Sequence, residues 1–123
     1  MGISKGTSIT NISNHKKHLN QFSDECEKSW AKEKLFDENG NSISVTDIAF
    51  KIMSEWDGWE TSYAAGYLDA MTRIHSPKSK YIAETGDTII RYFLCNASQF
   101  QGLKARAIKK HLKNLLNGKI EVR

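Results

Sequence analysis

The sequence predicts an all-α fold, a bundle of four to five helices behind a loose N-terminal arm. Three observations carry that prediction. Apolar residues recur at spacings of three and four through most of the chain, the period of one helix face. The strongest breakers, Asn39-Gly40, Pro77 and Gly118, fall between these runs or at their ends. At 123 residues, 39% of them hydrophobic and 26% charged, the chain is long enough to bury one core without disulfides or metals.

Residues 1–12 are rich in Ser, Thr, Gly, Ile and Asn without a period and read as a flexible arm. Residues 13–118 form the predicted single helical domain, and 119–123 (KIEVR) a tail or short strand. Ser13 or Asn14 is a good N-cap for a first helix reaching about Leu35, with Leu19, Phe22, Cys26 and Trp30 as its stripe. DENGNS, residues 37–42, is a turn pivoting on Asn39-Gly40 that can close a very short hairpin. Its alternating Asp37, Asn39 and Asn41 suggest a calcium loop. The glycine comes two places early, however, and Ile48 stands where the bidentate Glu belongs, which excludes that reading.

Thr46 is the predicted cap of a second helix with Ile48, Ala49, Ile52, Met53 and Trp56 on its buried face. Asp57-Gly58 weakens the helix, and the pattern resumes from Trp59 to Ile74 until Pro77 stops it. On that run Tyr63, Gly66, Tyr67, Ala70 and Ile74 share a face, with Ala64 and Met71 at its border. A helical glycine costs about 1 kcal/mol against alanine, so Gly66 predicts close approach of a neighbouring helix. The segment SPKSKYIAETG reads as a loop leading to a helix with Ile89, Ile90, Phe93 and Leu94 inside. Ser98 and Gln101 are spaced as a capping box for the last helix. That helix buries Leu103, Ala107, Ile108, His111 or Leu112, and Leu115, and Gly118 takes the place of a C′ glycine.

Charge is uneven under a formal net of +4. Residues 104–123 hold seven Lys/Arg against Glu121, whereas 41–103 hold five basic and seven acidic residues. Two readings of the basic last helix stand: a solvated face whose cations suit the C-terminal end of the helix dipole, or a surface for an acidic partner. Cys26 and Cys95 are too few and too far apart for a zinc site or CxxC pair. Both fall on the apolar side of predicted helices, as a disulfide or as two small buried hydrophobes. No apolar run approaches the roughly 20 residues of a membrane span, and the lysine-bearing N-terminus has no apolar region of a secretory signal.

An enzyme needs convergent groups, and the inventory does not supply them. His15 and His18 share a face without a third metal ligand, and His75 and His111 stand alone. There is no P-loop, GxGxxG, GxSxG or HExxH. The expectation is a non-catalytic protein without cofactor or metal.

YAAGYLDAM, residues 63–71, resembles the Y-x-x-G-[aromatic or aliphatic]-x-D-A signature of the Rap1a/Tai family of type VI secretion immunity proteins, where it marks the central helix. Family members tend to continue with a glycine, an apolar stretch with a tyrosine step and a final amphipathic helix. Here Gly86, then Ile89, Ile90, Tyr92 and Phe93, then ASQFQGLKARAIKKHLKNLL follow in that order. The similarity runs from Tyr63 to Leu116, under half of the chain. Two features depart from the family: Ser62 stands where a cysteine precedes the motif, and Asn96-Ala97-Ser98 replaces a proline-containing cap.

The resemblance implies a small helical toxin inhibitor, often a homodimer, that occludes a cognate peptidoglycan amidase in the periplasm, its signal peptide removed and no membrane involved. Tyr63, Gly66, Tyr67, Asp69, Ala70 and Tyr92 are then the structural signature, with Asp69 a hydrogen-bonding residue rather than a general base. Partner anchors are expected at Trp56, Asp57 and Trp59 around the helix break, and at His75, Lys78 and Lys80 in the following loop. The two tryptophans equally suit a core.

The alternative is a small basic cytoplasmic protein that binds nucleic acid, or a phage or plasmid regulator. ISVTDIAFKIMSEW has the pattern of the first helix of a helix-turn-helix. The recognition helix would then be WETSYAAGYLDAM, which lacks a basic residue until Arg73 and suits a major groove poorly. That leaves Lys104, Arg106, Lys109, Lys110 and Lys113 of the last helix as the phosphate-facing candidates.

Overall fold

Five α-helices, joined by short turns and one two-stranded hairpin, make up the described part of the chain, as the all-α prediction requires. The computed structural model describes residues 24–123. The predicted arm, the caps at Ser13 or Asn14, and Leu19 and Phe22 lie outside the described residues. α1 occupies residues 24–34, and Leu35 behind it is fully buried.

The turn at 37–42 forms as its composition demands. Asp37 Oδ1 accepts from the backbone N–H groups of Asn39 and Asn41 at 2.9 and 3.0 Å, and Gly40 takes φ 83°. The expected hairpin is one antiparallel bridge between Phe36 and Ser42. Ser42 also bridges Val122 in parallel, through Ser42 N–H to Glu121 O at 2.9 Å and Arg123 N–H to Ser42 O at 3.1 Å. The segment KIEVR is therefore pinned at its far end.

α2 spans Val45–Glu55 and buries Val45, Ile48, Ala49 and Ile52. Its cap is Ser44, whose Oγ accepts from Asp47 N–H at 3.1 Å, not Thr46. The Thr46 hydroxyl instead donates to Ile74 O at 2.7 Å, tying the start of α2 to the chain beyond α3. Gly58 at φ 91° ends the first run, in a conformation that side chains resist. A 3₁₀ turn follows over Trp59–Thr61, and Ser62 breaks it with extended ψ while its Oγ donates to Trp59 O at 2.7 Å. α3 is only the seven residues Ala65–Met71, so the long helix expected from Trp59 to Ile74 does not form, and it stops well before Pro77.

The predicted contact face shifts with it. Leu68, Ala70 and Met71 point inward, Tyr63 lies before the helix, and a Cβ at Gly66 would have no atom of the described residues outside its own helix turn within 4 Å. Among the described residues no helix crosses at Gly66. The close approach lies at Gly86, where a Cβ would meet Ser76 O at 2.5 Å and Pro77 O at 3.0 Å.

The segment read as a loop carries a hairpin, β1 (Lys80–Tyr81) paired with β2 (Glu84–Thr85), turning through Ile82 at φ 57°. α4 (Gly86–Asn96) buries Ile89, Ile90 and Phe93 as expected. Cys95, however, faces solvent and Cys26 is half-buried, each a free thiol, so Cys95 does not sit on the apolar side. α5 (Leu103–Leu116) starts from Gly102 at φ 111°; the Gln101 side chain donates to Ser98 O at 3.1 Å, closing a turn rather than a capping box. Its end is as predicted: Gly118 N–H donates to Leu115 O and Lys119 N–H to Asn114 O, the paired bonds of a Schellman cap.

The core lies where α2, α3, α4 and α5 meet. Phe93, Ile52, Leu68, Ile90, Ile108 and Leu112 are fully buried, and each contributes about 1.5–3 kcal/mol of transfer free energy. Trp56 stacks on Phe100 with ring centroids 5.2 Å apart and stands edge-on to Phe93 at 6.5 Å.

The two glycines should respond oppositely in urea denaturation. Gly86→Ala should lose about 1–3 kcal/mol, because backbone carbonyls cannot move aside for the methyl. Gly66→Ala should gain up to about 1 kcal/mol, since the methyl meets open space.

Candidate functional site

The expected anchors divide on folding. Trp56 is a core residue, 7% exposed and enclosed by Phe93 and Phe100, so it offers no surface to a partner. Asp57 is exposed and Trp59 half-buried at the break between α2 and α3. His75 and Lys78 are exposed and line a cavity of about 360 Å³ together with Leu115, Ile120, Val122 and Arg123. There His75 Nε2 lies 3.2 Å from Arg123 O, while the Arg123 guanidinium pairs with Asp47 at 3.3 Å. Lys80 is exposed on β1 and is not part of that cavity, nor are Trp59 and Asp57.

The signature residues build a surface rather than a crossing. Tyr63, at the approach to α3, is 90% exposed. One turn on, Tyr67 is half-buried and tilts against Tyr92 of α4, centroids 5.4 Å apart, leaving Tyr92 48% exposed. Between Tyr63 and Tyr67 Gly66 leaves backbone bare to solvent. Asp69 forms an exposed pair with Arg73 at 3.7 Å, and Ala70 faces the core. Aromatic rings that are wet at one end and apolar along the body are the side chains enriched at protein interfaces.

On α5, Arg106, Lys109, Lys110 and Lys113 fall within an arc of roughly 100° at 3.6 residues per turn. Lys104 lies off that arc and pairs with Glu55 at 3.2 Å. Arg106 reaches Glu27 of α1 at 3.6 Å. Lys109 lies 5.8 Å from the Phe100 ring centroid; burial, and next the charge of Lys113, hold its amine below the usual lysine range.

Sequence reasoning missed Ser42 and placed His111 only as one of two core options. Both are buried, Ser42 completely, and Ser42 Oγ lies 2.7 Å from His111 Nε2. Phe36 meets the imidazole edge-on at 4.9 Å. Burial lowers the His111 pKa from 6.5 to about 4, so the ring is neutral at pH 7. No signal in the sequence marks Ser42, because its partner lies 69 residues away. The exposed Phe50 of α2 and Ile82 of the hairpin were likewise not singled out.

Among the described residues no group of three or more His, Cys, Asp or Glu is placed to hold a metal, and no helix is long and apolar enough to cross a membrane. Comparison of the chain with protein-family models, with curated proteins and with solved structures found no match.

His111 gives stability a definite pH dependence. Its folded pKa lies below its unfolded one, so the unfolded chain binds the extra proton and stability falls as pH drops from 6.5 to about 4. The stability difference between wild type and His111→Gln, from urea curves, should shrink over that window by up to about 3 kcal/mol. A difference that stays constant would show that the imidazole titrates normally.

Proposed function

We propose that this chain is a non-catalytic immunity protein that binds and occludes a secreted peptidoglycan amidase, acting in the periplasm as a homodimer. The observation that carries the reading is Gly66, a glycine inside a helix where an added Cβ would meet no atom of the described residues, set between Tyr63 and Tyr67. A helical glycine costs about 1 kcal/mol against alanine, and nothing among the described residues requires it. A partner's backbone approaching between the rings would require it. The order of Tyr63, Gly66, Tyr67, Asp69 and Ala70, then Gly86, Tyr92 and α5, supports the family resemblance to the Rap1a/Tai immunity proteins.

Occlusion asks for no chemistry of the inhibitor's own. Tyr63, Tyr67 and Tyr92 supply the anchors, and the exposed Asp57, Asp69 and Arg73 a polar rim. Trp59 extends the apolar area toward the α2–α3 break, and His75 and Lys78 offer a second contact through their cavity. The basic arc of Arg106, Lys109, Lys110 and Lys113 favours the second reading, salt-sensitive binding of nucleic acid.

The test uses the tagged chain as bait in extracts of a bacterium that carries its gene, at high salt and after nuclease treatment. The retained protein is then assayed on purified peptidoglycan. The expected result is an amidase inhibited in proportion to added chain. Tyr63→Ala and Gly66→Ala should each weaken inhibition at least about tenfold, about 1.4 kcal/mol, without lowering Tm. Recovery of nucleic acid that disappears as salt rises, or an amidase untouched by saturating chain, would overturn the reading.

A further inference from the structure

A second cavity, of about 270 Å³, opens between α1 and α5; it shares Lys110 with the basic arc and no residue with the tyrosine surface. Lys28 and Lys32 stand at its rim one helical turn apart on α1, and Lys110 faces them from α5. All three are exposed, and none makes an ion pair among the described residues. Like charges one turn apart destabilise a helix, so this arrangement leaves positive charge uncompensated. Glu27, the acid among the cavity's lining residues, pairs with Arg106 at 3.6 Å.

The floor adds an independent feature. His111 lines the cavity while only 3% exposed. The Ser42 hydroxyl has one hydrogen and donates it to Ile43 O at 2.8 Å. Its 2.7 Å bond to His111 Nε2 must then run the other way, with Nε2–H as donor. That leaves Nδ1 an acceptor without a partner among the described residues. No fully buried side-chain nitrogen or oxygen among those residues lacks a partner, so Nδ1 keeps some exposure, and the cavity is the opening that His111 lines. Phe36 supplies an apolar wall beside it.

We infer that this cavity binds a small phosphate monoester that also carries a hydroxyl group. The phosphate sits at the rim among Lys28, Lys32 and Lys110, which act as point charges on a dianion. The hydroxyl donates to His111 Nδ1, and the carbon skeleton lies along Phe36. The site is separate from the tyrosine surface and stands or falls without it.

The test is a titration of the ¹⁵N-histidine-labelled full chain with glycerol 3-phosphate at neutral pH, with glycerol and inorganic phosphate as parallel arms. Glycerol 3-phosphate should bind saturably and move the His111 Nδ1 resonance upfield, as an acceptor nitrogen does when it is hydrogen-bonded. Inorganic phosphate should bind more weakly and glycerol not at all. Lys28→Ala combined with Lys32→Ala should raise Kd at least about tenfold, Lys110→Ala should raise it several-fold, and Lys119→Ala outside the cavity should leave it unchanged. All these lysines are exposed, so unchanged Tm values would show that the variants fold. Absence of saturable binding would overturn the proposal. So would a silent His111 with equal affinity for both phosphates, since only surface charge would then be at work. A short DNA duplex that displaces the probe and binds at least about a hundredfold tighter through the same lysines would also overturn it, in favour of nucleic acid.

Discussion

Ser42 holds three distant segments at one buried point. Its backbone N–H and C=O both pair with the C-terminal residues, Phe36 bridges it from the turn, and its hydroxyl meets His111 of α5. A buried hydroxyl oxygen or ring N–H left unpartnered would cost about 1–3 kcal/mol each, and here the Ser42 Oγ and His111 Nε2 meet that need in one bond. The arrangement fixes α5 against the 36–42 turn and against the end of the chain together. Both cavities border it: Phe36 and His111 line one, Ile120 and Val122 the other. Their shapes therefore depend on a bond that neither cavity contains.

A second set of bonds places the loop after α3. Val45 N–H donates to His75 O and Thr46 Oγ to Ile74 O, joining the start of α2 to this loop. On its other side Gly86 N–H donates to Ser79 O and Asp87 N–H to Pro77 O, joining it to the start of α4. Gly86 must be glycine because the Ser76 and Pro77 carbonyls lie where its Cβ would stand. The loop thus serves as the junction of α2, α3 and α4, and His75 and Lys78 are displayed from a backbone held on both sides.

The buried faces of α2, α4 and α5 were legible because their periodicity is the product of burial, and Ile48, Ile52, Ile90, Phe93, Ile108 and Leu112 all lie inside. The Schellman end at Gly118 was legible for a local reason, since glycine alone relaxes there. The α3 region was not, because two small local preferences override its period. Gly58 takes a left-handed conformation and the Ser62 hydroxyl turns back to Trp59 O, so Tyr63 is left outside a helix its spacing would have placed it in. The caps at Thr46 and Ser98 failed because better acceptors or donors lay elsewhere, Ile74 O for one and a side-chain turn bond for the other. Of the candidate site, Tyr67 and Tyr92 were named, but that they touch could be seen only once α3 met α4. Ser42 had no local mark at all, and His111 was marked only by its place on the buried stripe of the last helix, not by its partner 69 residues away.

The two surfaces obey different physics, so a partner suited to one would not suit the other. The tyrosine surface on α3 and α4 carries rings and a bare backbone, and burial of apolar area is strengthened or left alone by salt. The lysine groove between α1 and α5 works through charge at an exposed rim, where a Debye length of about 8 Å at physiological ionic strength leaves little beyond direct contact. A partner that survives high salt therefore cannot be held chiefly by Lys28, Lys32 and Lys110. A ligand lost on raising salt cannot owe its binding chiefly to Tyr63, Tyr67 and Tyr92. His111, neutral and buried at the floor of the groove, and the Phe36 wall beside it would lend that site contacts that salt does not screen. Those contacts distinguish a ligand seated in the cavity from an anion resting on its rim.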